Sequence, residues 1–173
     1  EGTAAVGASA LLVVSDTMTR ADTIAGIAEL VGLAGPLGIR VAIEYMAWTD
    51  PSRPLDAVAI ALETGCQVVV DLLHHVRVGA DAADLLAVVE SGTLGWVQVC
   101  DAPAAVPDDL VDEARHGRLA PGAGALPLAE LLACFDADVT ISVEVQNDSL
   151  LAIQPTERAQ LLFDAARSVL DSR

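Results

Sequence analysis

Short apolar segments rich in β-branched residues alternate with longer helix-forming segments along this 173-residue chain. Such alternation is typical of βα units on a parallel sheet, whose strands are covered on both faces and are therefore apolar throughout. The chain is thus predicted to be an α/β protein with five parallel strands. The predicted strands are residues 10–15, 41–45, 67–72, 95–100 and 139–145, and the predicted helices are residues 23–37, 54–64, 82–90, 108–115, 127–135 and 155–170.

Four of these strands end at a side chain that offers an oxygen atom: Glu44, Asp71, Gln98 and Glu144. In a (β/α)₈ barrel, side chains at the carboxyl ends of successive strands point toward one central axis, whereas in an open sheet they spread along an edge. A complete barrel takes about 250 residues, so we expect a single domain over residues 1–173 that is a TIM barrel lacking roughly its first two βα units. Glu1 is not an initiator Met, which suggests that the natural beginning has been lost.

The charge balance narrows the class of partner. The chain has 25 acidic and nine basic residues, all nine of them Arg, and its formal net charge is −16. Without Lys it has no Schiff-base or P-loop lysine. Nucleic acids and anionic membranes require clustered cations, so a small molecule is the expected partner. No apolar stretch approaches the roughly 20 residues of a membrane span. The three cysteines are odd in number and widely spaced, so we expect buried thiols and a cytoplasmic location.

The four strand-end residues are candidate ligands for a divalent cation. Carboxylate and amide oxygens suit hard cations, and convergence on one ion would satisfy polar atoms that are otherwise costly to bury. Glu44 and Glu144 are also candidate acid and base catalysts. The alternatives are strand-end charges that reach solvent for the two glutamates and a buried, backbone-bonded amide for Gln98. Asp71 interrupts a fully apolar strand, where an unpaired carboxylate requires either a partner or a shifted pKa.

Six further residues are candidates for the same pocket or the loops around it. His74 follows Asp71 by three residues and can bind metal, move a proton or contact substrate, whereas His75 is interpreted as structural. Arg118 lies in a glycine-containing loop and is the stronger candidate for clamping a substrate, with Arg115 as a second candidate or a surface residue. Trp48 follows Glu44 and either covers the site or packs against a loop. Asp16 and Arg20 follow the first strand, where we expect a substrate loop or solvated charges.

Taken in order, these motifs resemble the sugar phosphate isomerase/epimerase family, the xylose isomerase-like TIM barrels. The likeness runs from about residue 10 to the carboxyl terminus. It rests on Glu44, Asp71-Leu72-Leu73-His74 with Arg77 and Gly79, Gln98-Val99-Cys100-Asp101, Arg118-Leu119-Ala120-Pro121-Gly122, and Ser142-Val143-Glu144.

The resemblance implies a homodimer with Mn²⁺, Mg²⁺ or Co²⁺ held by Glu44, Asp71, Gln98 and Glu144. Sugar epimerases of the family usually have His at the third ligand position, whereas Gln98 is similar to the ligand of the related dehydroshikimate dehydratases. The family often has an acidic residue where this chain has Ala123.

The leading prediction is a metal-dependent isomerase or epimerase of a small polyhydroxylated carbonyl compound. A cation on neighbouring oxygens stabilises an enediolate, while Glu44 and Glu144 act as base and acid on opposite sides. The main alternative is a dehydratase in which His74 removes the proton and a hydroxyl leaves. A binding protein with a degenerate pocket is a further alternative. An abasic-site endonuclease would require more His ligands and a basic surface, which three His and a net charge of −16 do not provide.

Overall fold

The structure of the chain, a computed structural model, describes residues 2–15 and 19–172. Its strands form one parallel sheet in which each strand pairs with the next along the chain, as in successive βα units of a barrel. The fold is therefore an α/β half-barrel of the TIM type, which confirms the predicted fold class. The strands are β1 (Ala10–Val13), β2 (Arg40–Glu44), β3 (Gln67–Asp71), β4 (Leu94–Val99) and β5 (Ile141–Val143).

Apart from the first, the helices come after strands along the chain. They are α1 (Gly2–Ala5), α2 (Arg20–Ala34), α3 (Pro54–Thr64), α4 (Leu72–Arg77), α5 (Ala82–Glu90), α6 (Leu110–His116), α7 (Leu128–Leu132) and α8 (Pro155–Leu170), with short 3₁₀ turns at Gly35–Leu37 and Asp148–Ala152. Gly38 ends the first of these turns and Gly65 ends α3, both in the left-handed conformation that glycine adopts without strain.

The sequence prediction was wrong at several boundaries, and side-chain caps explain two of them. The third strand was predicted to reach residue 72, but Asp71 accepts hydrogen bonds from the backbone of Leu73 and His74 and begins α4. The second helix begins at Arg20, earlier than the predicted residue 23, because the Thr19 hydroxyl accepts a hydrogen bond from the Asp22 N–H. Short polar side chains that cap a helix in this way set where it starts.

The core lies between the central strands and the helices. Residues 68–70 of β3 are 0% exposed, as are Ala42 and Ile43 of β2. Ile43, Val68 and Val70 belong to one hydrophobic cluster that also contains Ile60 of α3 and Leu85 of α5. Because both faces of these strands are covered, successive residues are apolar, and not only every second one.

The two outer strands are less covered than the central ones. The residues of β5 and three of the four residues of β1 are half-buried. Val14 beyond β1 and Phe163 on α8 are exposed apolar side chains. Among the described residues, no helix combines the length and the apolar character that crossing a bilayer demands. Cys66 and Cys100 are buried and Cys134 is half-buried, and all three are free thiols.

Candidate metal-binding and catalytic site

The four predicted ligand residues lie at the same end of the sheet. Glu44 and Asp71 are the last residues of β2 and β3, Gln98 is the penultimate residue of β4, and Glu144 directly follows β5. Asp71 is paired in register with Gln98, which is paired with Ser142 two residues before Glu144. Parallel pairing thus brings together residues that are up to 100 positions apart in the chain.

Three of the candidate site residues form a compact cluster. One ligand atom each from Glu44, Asp71 and His74 lies within 4.8 Å of the other two, and all three residues are buried. The Asp71 carboxylate caps α4, which fixes its position, and the first turn of that helix places His74 in the cluster. His74 was predicted mainly as a catalytic residue, and its distance from Glu44 and Asp71 also makes it a candidate metal ligand.

Gln98 and Glu144 form a second, adjoining group. The Gln98 side-chain amide donates a hydrogen bond to Glu144 Oε2, and Gln146 Nε2 donates to Glu144 Oε1 over 3.2 Å. Gln98 Oε1 is the one buried side-chain oxygen or nitrogen among the described residues that has no hydrogen-bond partner. A buried acceptor without a partner costs about 1–3 kcal/mol of stability, and coordination to a cation is one way to satisfy it. The residues present therefore fit a divalent metal.

Arg118 lies among these acidic groups. Its Nη1 donates to Asp71 Oδ2 over 2.5 Å, and its Nη2 donates to His74 Nε2 over 3.3 Å. Its Nε donates to the backbone carbonyl of Ala114 over 2.8 Å. The side chain is almost fully buried, so the guanidinium is held in one position by three different elements of the fold.

A cavity of about 240 Å³ opens directly above this cluster. Asp71 and Gln98 are not among its lining residues; they lie beneath it. The Trp48 ring meets the His74 ring edge to face, with 5.1 Å between the ring centroids, so Trp48 covers one side of the site. Six of the predicted residues line the cavity: Glu44, Trp48, His74, Arg115, Arg118 and Glu144.

Arg20, which was expected near a substrate loop, is bound elsewhere. Its guanidinium donates to Asp56 of α3 over 3.1 Å, and it does not line the cavity. Asp16, the other candidate of that loop, lies outside the described residues. The interpretation of His75 as structural agrees with its contacts, because Tyr45 and the Asp81 carbonyl occupy its two ring nitrogens.

Burial changes the proton affinity of the site residues. Desolvation, together with the neighbouring charges of Asp71 and Glu144, raises the pKa of Glu44 to about 8. Burial also raises the pKa of Glu144, although Arg118 and the Gln98 amide oppose the shift. Burial lowers the pKa of His74. At neutral pH the metal-free site therefore favours a protonated Glu44 and a neutral imidazole, and groups of this kind can move protons.

Several residues that shape the site were not singled out from the sequence. Met46, Thr49 and Gln146 line the cavity. Thr49 holds the loop that contains Trp48 by accepting from the Met46 N–H and donating to the Pro51 carbonyl. Local sequence gives no signal for these contacts, because each depends on how a loop folds back over the strand ends.

The fold and the site together define a TIM-type α/β protein with an acidic, histidine-containing cluster at the carboxyl ends of its strands. The sequence profile described as "Xylose isomerase-like TIM barrel" matches residues 4–169, so the chain belongs to that family. Comparison with curated protein sequences gives no match.

Solved structures of several proteins share the fold. The IolI protein, whose structure is described as having a binding zinc atom, is 19% identical with a TM-score of 0.81 over 97% of this chain and 65% of its own. D-allulose 3-epimerase from Methylomonas sp. is 17% identical with a TM-score of 0.69 over 99% of this chain and 65% of its own. The 3-keto-D-glucoside 4-epimerase from E. coli is 19% identical with a TM-score of 0.67 over 97% of this chain and 66% of its own. The chain thus spans about two thirds of their length, and the likeness concerns the fold.

Proposed function

We propose that this chain carries the catalytic site of a divalent-metal-dependent isomerase or epimerase that acts on a small polyhydroxylated carbonyl compound. The observation that carries the proposal is the buried, unpartnered Gln98 Oε1 beside Glu44, Asp71, Glu144 and His74, beneath an open cavity. The family membership and the epimerases among the structural neighbours support it. We also propose that the protein acts as a homodimer in the cytoplasm, on the strength of the family resemblance and the free thiols.

In this proposal Glu44, Asp71, Gln98 and Glu144 hold Mn²⁺, Mg²⁺ or Co²⁺, and His74 is a further ligand candidate. A bound divalent cation supplies the positive charge that lowers the cost of an enediolate. Glu144 accepts hydrogen bonds from Gln98 and Gln146, which favour its ionised form, so it takes the proton from the substrate carbon. Glu44, at the end of a different strand, exchanges the proton on the other side.

The cavity walls suit a small polar substrate. Trp48 supplies an apolar face and excludes water from one side, whereas Arg115 is exposed at the cavity lining and can reach a hydroxyl or carboxylate group. Arg118 already donates hydrogen bonds to Asp71 and His74. Only its remaining N–H groups can therefore orient a substrate oxygen.

Metal binding gives the first test. Chelator-treated protein is titrated with Mn²⁺, Mg²⁺ and Co²⁺ by calorimetry, and Gln98→Leu is compared with Gln160→Leu, which removes an amide from the exposed face of α8. We expect Gln98→Leu to weaken metal binding at least about ten-fold, because even the loss of an outer-shell partner costs 10–100-fold. Gln160→Leu is expected to leave binding unchanged. Failure of the wild-type protein to bind any of these ions would favour a non-catalytic binding protein.

Substrate chemistry gives the second test. The metal-loaded protein is incubated with ketoses, aldoses and their acids in D₂O, and exchange of the hydrogen next to the carbonyl is followed by NMR. Isomerase or epimerase activity predicts metal-dependent exchange without a new ultraviolet absorption. The competing dehydratase, favoured by Gln98 at the third ligand position and by the neutral His74 facing the cavity, predicts a conjugated product that absorbs in the ultraviolet.

A further inference from the structure

Beside the candidate site lies a second buried ion pair that lines no part of the cavity. Arg77 Nε and Nη2 donate to the two carboxylate oxygens of Glu113, each over 2.7 Å. The two side chains are 3% and 7% exposed. Arg77 Nη2 also donates to the Pro103 carbonyl over 2.9 Å. Fork-to-fork pairing of this kind fixes both the distance and the orientation between two elements.

The pair joins the helix that carries His74 to the helix that ends just before Arg118. Arg77 is the last residue of α4, three positions after His74. Glu113 lies in α6, and its backbone carbonyl accepts a hydrogen bond from the Gly117 N–H over 2.9 Å, which ends that helix just before Arg118. The next carbonyl, that of Ala114, accepts from Arg118 Nε. The position of α6 relative to α4 therefore sets how far Arg118 reaches.

The reach of Arg118 determines which ring nitrogen of His74 carries the proton. Arg118 Nη2 can only donate, so its contact with His74 requires an unprotonated Nε2 and places the imidazole proton on Nδ1. At 3.3 Å the contact is near the outer limit of a hydrogen bond, so a small displacement of α6 would break it. The contact from Arg118 to Asp71 is shorter and charged, and it would survive a larger movement.

We propose that Arg77 and Glu113 are positioning residues, which hold α6 against α4 so that Arg118 fixes the Nδ1–H tautomer of His74. The inference concerns the site of the proposed function. Its test reads the imidazole directly and does not depend on turnover, so it can succeed or fail independently of any epimerase activity.

The experiment uses protein labelled with ¹⁵N at its three histidines and records long-range ¹H–¹⁵N spectra of each ring at neutral pH without metal. Arg118→Met defines the His74 signals that result when the donor is lost. Glu113→Gln keeps the shape of the carboxylate but loses its charge and one acceptor. We expect it to move the His74 Nε2 and Nδ1 shifts most of the way to the Arg118→Met values. The double variant Arg118→Met/Glu113→Gln is expected to show the same His74 shifts as Arg118→Met alone.

His75 provides an internal control, because it lies in the same helix but is bonded to Tyr45 and Asp81. A positioning role predicts that its signals stay in place while those of His74 move. Asp56→Asn, which breaks the Arg20 ion pair between α2 and α3, is expected to leave both histidines unchanged.

Arg77→Lys gives a milder second variant if Glu113→Gln folds poorly, since an ammonium keeps the charge but cannot reproduce the fork. We expect a partial shift of His74 in the same direction. The proposal is overturned if His74 keeps its wild-type signals in both variants. It is equally overturned if His75 moves as much as His74, because the pair would then support α4 as a whole.

Discussion

At the scale of single residues, the site is a set of buried polar groups whose partners differ in kind. Asp71 is balanced by the Arg118 guanidinium, and Glu144 accepts from two amides. Glu44 lies 3.9 Å from His74 Nε2, and the adjacent acidic charges raise its pKa. Desolvation by burial is the largest cause of the raised pKa of Glu44.

The raised pKa of Glu44 predicts a pH dependence of stability. Its pKa is about 8 in the folded protein against 4.5 for an ordinary glutamate, so the unfolded state loses its proton first as the pH rises. The free energy of unfolding of metal-free protein should therefore fall between these two pH values, by at most about 1.4 kcal/mol per pH unit from this group. Glu44→Gln is expected to remove that part of the slope in urea denaturation.

Glu130→Gln is the control for this measurement, because it changes an exposed carboxylate of α7. Its pH profile should follow that of the wild-type protein. An unchanged slope in Glu44→Gln would show that the carboxylate ionises freely in the folded state.

Tyr45 and His75 form a buried polar pair beneath the site. The Tyr45 hydroxyl donates to His75 Nδ1 over 2.8 Å, and His75 Nε2 donates to the Asp81 carbonyl over 2.9 Å. Tyr45→Phe leaves an imidazole nitrogen without a donor in the core, so we expect a loss of about 1–3 kcal/mol in the free energy of unfolding. Ser172→Ala, which removes an exposed hydroxyl, is expected to change it by less than about 0.5 kcal/mol.

The sequence predicted individual site residues better than their partners. Glu44, Asp71 and Glu144 are conspicuous because an acid at the end of an apolar strand needs an explanation. The pairing of Asp71 with Arg118 spans 47 positions in the chain, and that of Arg77 with Glu113 spans 36. Glu113 lies among other acidic residues in a helix, where local sequence predicts a solvated charge.

At the scale of elements, a single carboxylate organises the loop that follows Arg118. Asp101 Oδ1 accepts from the Leu126 N–H and Oδ2 from the Gly122 N–H, each over 3.0 Å. Its backbone pairs with Leu119 in both directions over 2.8 Å. The loop is thereby tied to the end of β4 on one side, while Arg118 at its start reaches into the site.

Gly124 allows this close approach. A Cβ at this position would collide with the Asp101 carboxylate and the Ala102 carbonyl and would lie 2.7 Å from the Ala102 nitrogen. Because two of these atoms are backbone, we expect Gly124→Ala to cost about 1–3 kcal/mol in chemical denaturation. Gly26→Ala has open space on α2 and is expected to be neutral or slightly stabilising. Equal stability of both variants would mean that the loop can move away from Asp101.

Elements were predictable where hydrophobic periodicity alone determines them. The bounds of α3, α5 and α8 agree with the predicted residues 54–64, 82–90 and 155–170. The six-residue helix α4 was missed because its apolar residues continue those of β3, and only the Asp71 cap separates the two elements. Such a boundary depends on a hydrogen bond, so a pattern of apolar residues does not predict it.

At the scale of the whole molecule, the large negative charge opposes compactness. A net charge of −16 on 173 residues creates repulsion that the nine arginines offset only in part. Sodium chloride screens this repulsion, because the Debye length falls from about 30 Å at 0.01 M to about 3 Å at 1 M.

We therefore expect the melting temperature of metal-free protein to rise between 0.01 and 0.5 M sodium chloride, by about 2–4 °C for each kcal/mol of repulsion relieved. Differential scanning calorimetry at neutral pH measures the shift. A melting temperature that falls with salt would indicate that favourable ion pairs, such as Arg77 with Glu113 and Arg118 with Asp71, dominate the electrostatics of the fold.

The position of Arg118 has a consequence for how the molecule matures. The chain encodes its own counter-ion for the acidic pocket, so the carboxylates can be gathered and enclosed before any metal is taken up. Small zinc domains, by contrast, stay unfolded until their ion arrives. If the proposed metal binds, its uptake would be a late step on a finished scaffold, with Asp71 shared between the ion and the Arg118 guanidinium.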